Sequence, residues 1–151
     1  MERRQTMRQL NLAQLLRLPF QALVSELHTQ LASKGYPDIP ATHTIVFALL
    51  DTQGIRLSEL AKRAQLTKQL VNYLVTALEE RGYVERVPDP RDGRAKIVRL
   101  TERGQQAAQV GNEIIASIER AWAASLGPED MDELRSLLQR LVGVLSRQQG
   151  P

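Results

Sequence analysis

Side chains that can make directional hydrogen bonds are concentrated between positions 67 and 76 of the 151-residue chain. The ammonium group of Lys68 can donate to guanine acceptors or to phosphate, and the amides of Gln69 and Asn72 can pair with adenine through two hydrogen bonds. The full set is Thr67, Lys68, Gln69, Asn72, Tyr73 and Thr76. A plain solvent-facing surface, the alternative, more often pairs Glu with Lys four residues apart, whereas here the next acids are Glu79 and Glu80. The pattern therefore favours contacts between these side chains and DNA bases over a plain solvent-facing surface.

A second charged group lies in the sequence DPRDGRAK at positions 89–96. We expect a β-hairpin here with its tight turn at Asp92-Gly93, and in the simplest interpretation the remaining charges are only solvated. Arginine on a thin projecting hairpin also fits a narrow minor groove, where the negative potential of DNA is enhanced. The group consists of Arg91, Asp92, Arg94 and Lys96. In that second interpretation Asp92 can hold Arg94 in an extended orientation, and the local sequence leaves both interpretations open.

Two short helices must position the first group. Capping residues predict one helix from Ser58 to about position 64 and a second from Thr67 to about position 81, where Gly82 ends it. Ala61 is the small residue that the crossing of a helix-turn-helix requires. Gln65 stands where a turn glycine is often found, so the turn must accept a side chain.

The hairpin directly follows this pair of helices, because the apolar period changes from 3.6 to 2 after Gly82. This order predicts a mainly α fold with a small β-hairpin wing, that is, a winged helix-turn-helix core with helices on both sides. The first flanking helix covers about 11–34, and Pro19 either kinks it or ends a short leading helix near Leu18. A core helix is expected over about 41–51. Thr101 caps a long helix, and another begins near Pro128.

The composition excludes several kinds of site. The chain has no cysteine and only two histidines, so thiol chemistry is absent and a dense zinc site is not expected. No apolar run is long enough to span a membrane and no signal peptide is recognisable, so we expect a cytoplasmic protein that does not enter membranes. There is no catalytic histidine motif and no glycine-rich phosphate loop. We therefore expect no enzyme activity, no cofactor and no metal.

Positive charge is unevenly distributed along the chain. Residues 56–103 contain 11 Lys or Arg and 7 Asp or Glu, an excess of 11 − 7 = +4, whereas the whole chain carries +3. The remaining residues therefore carry 3 − 4 = −1. A basic segment of this kind is typical of a module that binds a polyanion.

The sequence LSELAKRAQLTKQLVNYLVTALEERGYVERVPDPRDGRAKIVRLTERG at 57–104 resembles the MarR family of bacterial transcription regulators. The resemblance includes Asp92-x-Arg94 in the wing and LTERG after it. It implies a single domain over 1–151, with dimerisation helices at about 1–35 and 101–151 and a DNA-binding lobe at about 40–100. It also implies a recognition helix at 67–81, a wing whose Arg94 inserts into the minor groove, and small aromatic or phenolic anions as effectors.

The apolar stripes of the terminal helices independently favour a homodimer, although packing of the two helices against each other within one chain stays open. A dimer would place two recognition helices about 34–36 Å apart on a near-palindromic operator. For the effector we expect a pocket near His28, Tyr36 and His43, which bracket the sequence GYPDIP, with purely structural side chains as the alternative. The favoured function is a homodimeric repressor of transcription that a small effector releases from double-stranded DNA. The alternative is a winged-helix protein-interaction module without a ligand response.

Overall fold

The computed structural model describes residues 10–148. The elements are α1 (Leu12–Ser33), a 3₁₀ turn (Ala41–His43), α2 (Thr44–Phe47), β1 (Ile55–Arg56), α3 (Leu57–Ala64), α4 (Lys68–Glu80), β2 (Val84–Asp89), β3 (Asp92–Leu100), α5 (Glu102–Leu126) and α6 (Pro128–Gln148). The strands form one antiparallel sheet in the order β1-β3-β2. The chain divides into two compact units, one before and one after the boundary between Ile114 and Ile115. The expected mainly α fold with a small winged sheet is confirmed.

Helix α1 is continuous through Pro19, so the second of the two alternatives, a short leading helix that ends near Leu18, does not occur. Its start is fixed by a capping box: the Asn11 side chain accepts a hydrogen bond from the Gln14 amide, and the Gln14 side chain accepts one from the Asn11 amide, both at 3.0 Å. The ring of Pro19 lies on an exposed part of the helix. Water can therefore reach the carbonyl that the proline leaves without a helical donor.

The predicted core helix over 41–51 is shorter than expected and consists of the 3₁₀ turn followed by α2. Val46 and Leu50 are buried as expected, but Ile45 is 47% exposed. The helix stops because the Asp51 carboxylate accepts hydrogen bonds from the amides of Gln53 and Gly54, each at 2.9 Å. These bonds stabilise a turn in place of further helix.

The predicted helix-turn-helix is formed by α3 and α4. Thr67 caps α4 as expected, accepting a hydrogen bond from the Leu70 amide at 3.2 Å. The prediction of Ser58 as a cap is wrong: α3 begins at Leu57 with Arg56 at the N-cap position and no side-chain bond. The reason is the short strand β1, absent from the sequence prediction, which holds Arg56 opposite Ile97.

The turn between α3 and α4 places Gln65 in the left-handed region, with φ of +54°. The turn does accept a side chain, in a conformation that normally favours glycine. The helix pair packs on one apolar cluster. Its buried members on the two helices are Leu60, Ala61, Ala64, Val71, Leu74, Val75 and Leu78. This cluster fixes the orientation of α4 within the first unit.

The hairpin turn lies at Pro90-Arg91, so the predicted turn at Asp92-Gly93 is wrong. Asp89 is opposite Asp92, and Gly93 belongs to β3. Proline presets the backbone for the second position of a turn, and aspartate at the first position can accept from the backbone two residues on. Asp89 does so, accepting from the Arg91 amide at 2.8 Å.

Helix α5 begins against the start of β2. Thr101 caps it as expected, since its hydroxyl oxygen accepts from the Gly104 amide at 3.1 Å, while the same hydroxyl donates to the Gly82 carbonyl at 2.6 Å. The Thr101 amide donates to the Tyr83 carbonyl at 3.0 Å. These bonds attach the first turn of α5 to the helix-turn-helix and the wing.

Candidate nucleic-acid interface

Helix α4 has one apolar face and one polar face. Val71, Leu74, Val75 and Leu78 are buried in the core cluster. The predicted base-reading residues Thr67, Lys68, Gln69, Asn72 and Tyr73 are all exposed, and Thr76 is half-buried. Tyr73 is 67% exposed, which rules out a role in the core of this chain. The structure thus brings the first predicted group together on one surface.

Arg86 on β2 joins the wing to this surface. Its Nη2 donates to Oδ1 of Asn72 and to Oγ1 of Thr76, each at 3.1 Å, and its Nη1 donates to the carboxylate of Glu79. The Arg86 side chain is 22% exposed. Sequence reasoning did not select Arg86 as a site residue. The available signal was the i, i+4, i+7 spacing of the three acceptors, which places them in one row on a helix.

The structure separates the cations of residues 56–103 into two sets. Five form ion pairs with carboxylates, namely Arg56 with Asp89 and Asp92, Arg63 with Glu59, Arg86 with Glu79, Arg99 with Glu85, and Arg103 with Asp38. Among residues 10–148, no ion pair involves the other six, which are Lys62, Lys68, Arg81, Arg91, Arg94 and Lys96. All the cations of the predicted contact groups belong to this second set.

The wing tip is held by two aspartates. Asp89 is buried, and its carboxylate accepts from the Arg91 amide and, at 2.5 Å, from Nε of Arg56. These two donors hold the pKa of Asp89 below its ordinary value. Asp92 accepts from the Arg94 amide at 3.2 Å, so it contacts the backbone of Arg94. The side chains of Arg91, Arg94 and Lys96 remain exposed.

Each of the three predicted pocket residues contacts a different partner. The Nε2 atom of His28 lies 3.2 Å from the Thr44 hydroxyl, Nδ1 of His43 lies 3.0 Å from the Thr42 hydroxyl, and the Tyr36 ring centroid lies 6.3 Å from that of Tyr83. Burial lowers the pKa of both histidines, and the charge of Arg81 lowers that of His43 further. His43 is buried, and its Nε2 has no hydrogen-bond partner in the described part of the chain. In the described part of the chain, no hydrogen bond or ring contact joins these three residues to one another, so the pocket stays a prediction.

Tyr83 is the centre of a cluster that sequence reasoning missed. Its ring is buried, and its hydroxyl donates to Asp38 at 2.5 Å and accepts from Arg103 at 3.1 Å. Burial and the bond to Asp38 raise the pKa of Tyr83. The guanidinium of Arg103 lies 4.6 Å above the ring. The cluster connects the loop before the 3₁₀ turn with the start of α5.

Among residues 10–148, no group of three or more His, Cys, Asp or Glu side chains has an arrangement that could hold a metal ion. No helix of that range is both long and apolar enough to cross a membrane.

Comparison with protein families decides the identity of the fold. A model described as "MarR family" matches residues 38–95, the segment from the Tyr83 cluster's Asp38 to the wing. Over residues 38–95 the chain therefore matches the MarR family. The matched residues include the whole helix-turn-helix and the turn of the hairpin.

Curated relatives agree with this assignment. The chain is 33% identical over 101 residues to "Uncharacterized HTH-type transcriptional regulator YkoM" of Bacillus subtilis, covering 66% of this chain and 65% of that protein. It is 26% identical over 116 residues to "Transcriptional regulator HosA" of Escherichia coli O111:H-, covering 76% and 86%. Across the first three curated relatives the chain spans 58%, 86% and 65% of their lengths.

A solved structure shows that the fold extends beyond the matched segment. The chain is similar to Streptococcus pneumoniae FabT in complex with DNA, with a TM-score of 0.75 over 89% of this chain and 94% of that one, at 18% identity. At this identity the likeness concerns the fold. It extends beyond residues 38–95, because it covers 89% of this chain.

Proposed function

We propose that this protein is a homodimeric, cytoplasmic transcriptional regulator that binds double-stranded DNA sequence-specifically and acts as a repressor. The observation that carries the proposal is the polar, exposed face of α4 beside a wing whose Arg91, Arg94 and Lys96 are free of ion pairs in the described chain. In helix-turn-helix proteins the second helix enters the major groove, and unpaired cations are the groups that neutralise phosphate. The DNA complex of FabT supports the same use of the fold.

Exposed apolar side chains support the homodimer. Five large apolar residues of α1 are 43–64% exposed, namely Leu12, Leu15, Leu16, Leu18 and Phe20. Helix α6 exposes a further set, which is Leu134, Leu137, Leu138, Leu141, Val142, Val144 and Leu145. Apolar surfaces of this extent mark an interface with a partner. A second copy of the chain is the partner that a palindromic operator requires, because operator symmetry follows protein symmetry.

We further propose that a small effector, an aromatic or phenolic anion, releases the protein from DNA by shifting the population away from the DNA-competent state. Such an effector must bind the two states with different affinity. His28, Tyr36 and His43 remain the proposed pocket residues. Two observations support this proposal. His28 is half-buried and His43 is buried, and burial lowers the pKa of both.

A DNA-binding titration over a salt series tests the proposal. The association constant K for a selected operator should fall steeply with salt, and log K should decrease with log salt concentration with a slope of about −0.9 per neutralised phosphate. Lys68→Ala and Arg94→Ala should each weaken binding and reduce the slope by about one phosphate contact. Arg63→Ala, which removes a cation already paired with Glu59 at 3.0 Å, is the matched control and should leave the slope unchanged. A flat salt profile, or selection of no DNA sequence, would indicate a protein-interaction module.

A further inference from the structure

The contact of Arg86 with Asn72 determines which end of the Asn72 amide is available to DNA. A guanidinium only donates hydrogen bonds, so the atom of Asn72 that lies 3.1 Å from it must be the carbonyl oxygen. The NH₂ group of the amide is then the end that stays unengaged by Arg86. Asn72 is exposed on the polar face of α4. The side chain therefore offers donors at the surface that would meet a base edge.

The proton of the neighbouring Thr76 hydroxyl is already donated in the same arrangement. Thr76 donates its proton to the backbone carbonyl of Asn72 at 2.9 Å and accepts from Arg86 at 3.1 Å. A hydroxyl has one proton to donate, so Thr76 has no donor left for a base. Glu79 completes the row and balances the charge of Arg86. The three acceptors thus hold the guanidinium in one place, which in turn holds the Asn72 amide in one orientation.

We propose that Arg86 is a positioning residue that fixes Asn72 with its NH₂ group towards DNA and so sets the base preference at the position that Asn72 reads. Guanine presents two acceptors, N7 and O6, in the major groove, whereas recognition of adenine through two bonds also needs the asparagine oxygen to accept from N6. Because that oxygen is directed at Arg86 rather than at a base edge, guanine is preferred over adenine. This inference rests on the proposed function, sequence-specific binding of double-stranded DNA.

Selection of binding sites from random double-stranded DNA, followed by sequencing, tests the inference with the full chain. Asn72→Ala identifies the position, because it removes the preference there. The wild type should prefer guanine over adenine at that position by about fivefold or more, the value of a good side-chain pair with a base. Arg86→Met should reduce or reverse this preference and leave the other positions as they are. Arg86→Lys should do the same while keeping the charge, since an ammonium lacks the planar fork of a guanidinium.

Arg99→Met is the matched control. Arg99 lies on the adjacent strand β3 and is paired with Glu85 at 2.7 Å, so the substitution removes the same charge without a contact to α4. It should leave the base preference unchanged. If Arg86→Met does not fold, as judged by circular dichroism, Arg86→Lys and Glu79→Gln carry the test. Glu79→Gln weakens the hold on Arg86 and should lower the preference in the same direction.

The outcomes separate the inference from the proposed function. If the wild type selects no sequence at all, the proposed function fails. If the wild type selects a motif but Arg86→Lys weakens binding equally for all sequences, Arg86 is only structural and the inference is wrong. An adenine preference of the wild type at the Asn72 position, or an Asn72→Ala variant with an unchanged motif, also overturns it.

Discussion

Replacing Gly104 with alanine places a methyl group against the backbone at the start of α5. An ideal Cβ at Gly104 would lie 2.0 Å from the Tyr83 carbonyl oxygen and 3.2 Å from Cδ2 of Leu100. The first of these atoms is backbone and cannot rotate away, so α5 must move relative to β2. The same carbonyl accepts from the Thr101 amide at 3.0 Å, and that bond stretches or breaks when the helix moves.

The expected cost follows from these contacts. Overpacking in a well-packed site costs about 1–3 kcal/mol, and the loss of one hydrogen bond costs about 1 kcal/mol. Alanine regains about 1 kcal/mol because it favours the helix more than glycine does. We therefore expect Gly104→Ala to lower the free energy of unfolding by about 2 kcal/mol.

Gly111→Ala in the same helix is the matched control. The nearest atom to its ideal Cβ is Cδ1 of Leu27 at 3.9 Å, an ordinary van der Waals contact. Only the higher helix preference of alanine remains, so the free energy of unfolding of this variant should rise by up to about 1 kcal/mol. Urea unfolding followed by circular dichroism measures both variants, at one protein concentration because the stability of the proposed dimer would depend on it. Equal stability of the two alanine variants would refute the reasoning.

Three other substitutions have defined outcomes. Pro19→Ala should raise the unfolding free energy by about 1–3 kcal/mol, because alanine restores the amide that the interior of α1 lacks; thermal unfolding checks it. In the His43→Gln variant, Tm should decrease less than in the wild type as the pH is lowered from about 7.5 to about 5.5. Burial and the Arg81 charge lower the pKa of His43 in the folded protein. The neutral side chain therefore contributes its full stability above the pKa of the unfolded state, near 6.5, and this contribution is lost as the pH falls towards the lower pKa of the folded state. Asp89→Ala removes the acceptor of the Arg91 amide and should speed hydrogen exchange at that amide.

The parts of the winged helix that follow from local chemistry were predictable from the sequence. Thr67 and Thr101 cap their helices through hydrogen bonds to residues three positions on, and Gly82 adopts a φ of +77° after α4. Each signal depends only on neighbours in the chain. The change of apolar period after Gly82 likewise identified the two strands of the hairpin.

The features that depend on distant residues were not predictable. Strand β1 has two residues and exists because β3 lies beside it, and its presence moved the start of α3 away from Ser58. The sequence predicted the hairpin turn at Asp92-Gly93, whereas the buried carboxylate of Asp89, held by Arg56 from 33 positions earlier, stabilises the turn at Pro90-Arg91. Arg86 was missed for the same reason. The row of acceptors on α4 was visible in the sequence, but its contact with Arg86 depends on the register of the wing.

The net charge of residues 56–103 does not distinguish cations that form ion pairs from cations that do not. In the described structure, five acids of this segment neutralise arginines that hold its elements together: Arg56 at the wing base, Arg86 against α4 and Arg99 across the hairpin are the main ones. Six cations and two acids are left without ion-pair partners, which is again an excess of four. The excess is therefore carried by side chains without ion-pair partners, which can bind phosphate, while the paired arginines hold the elements of the segment in place. Substitution of the first kind should change the salt dependence of DNA binding, and substitution of the second kind should change stability or base preference.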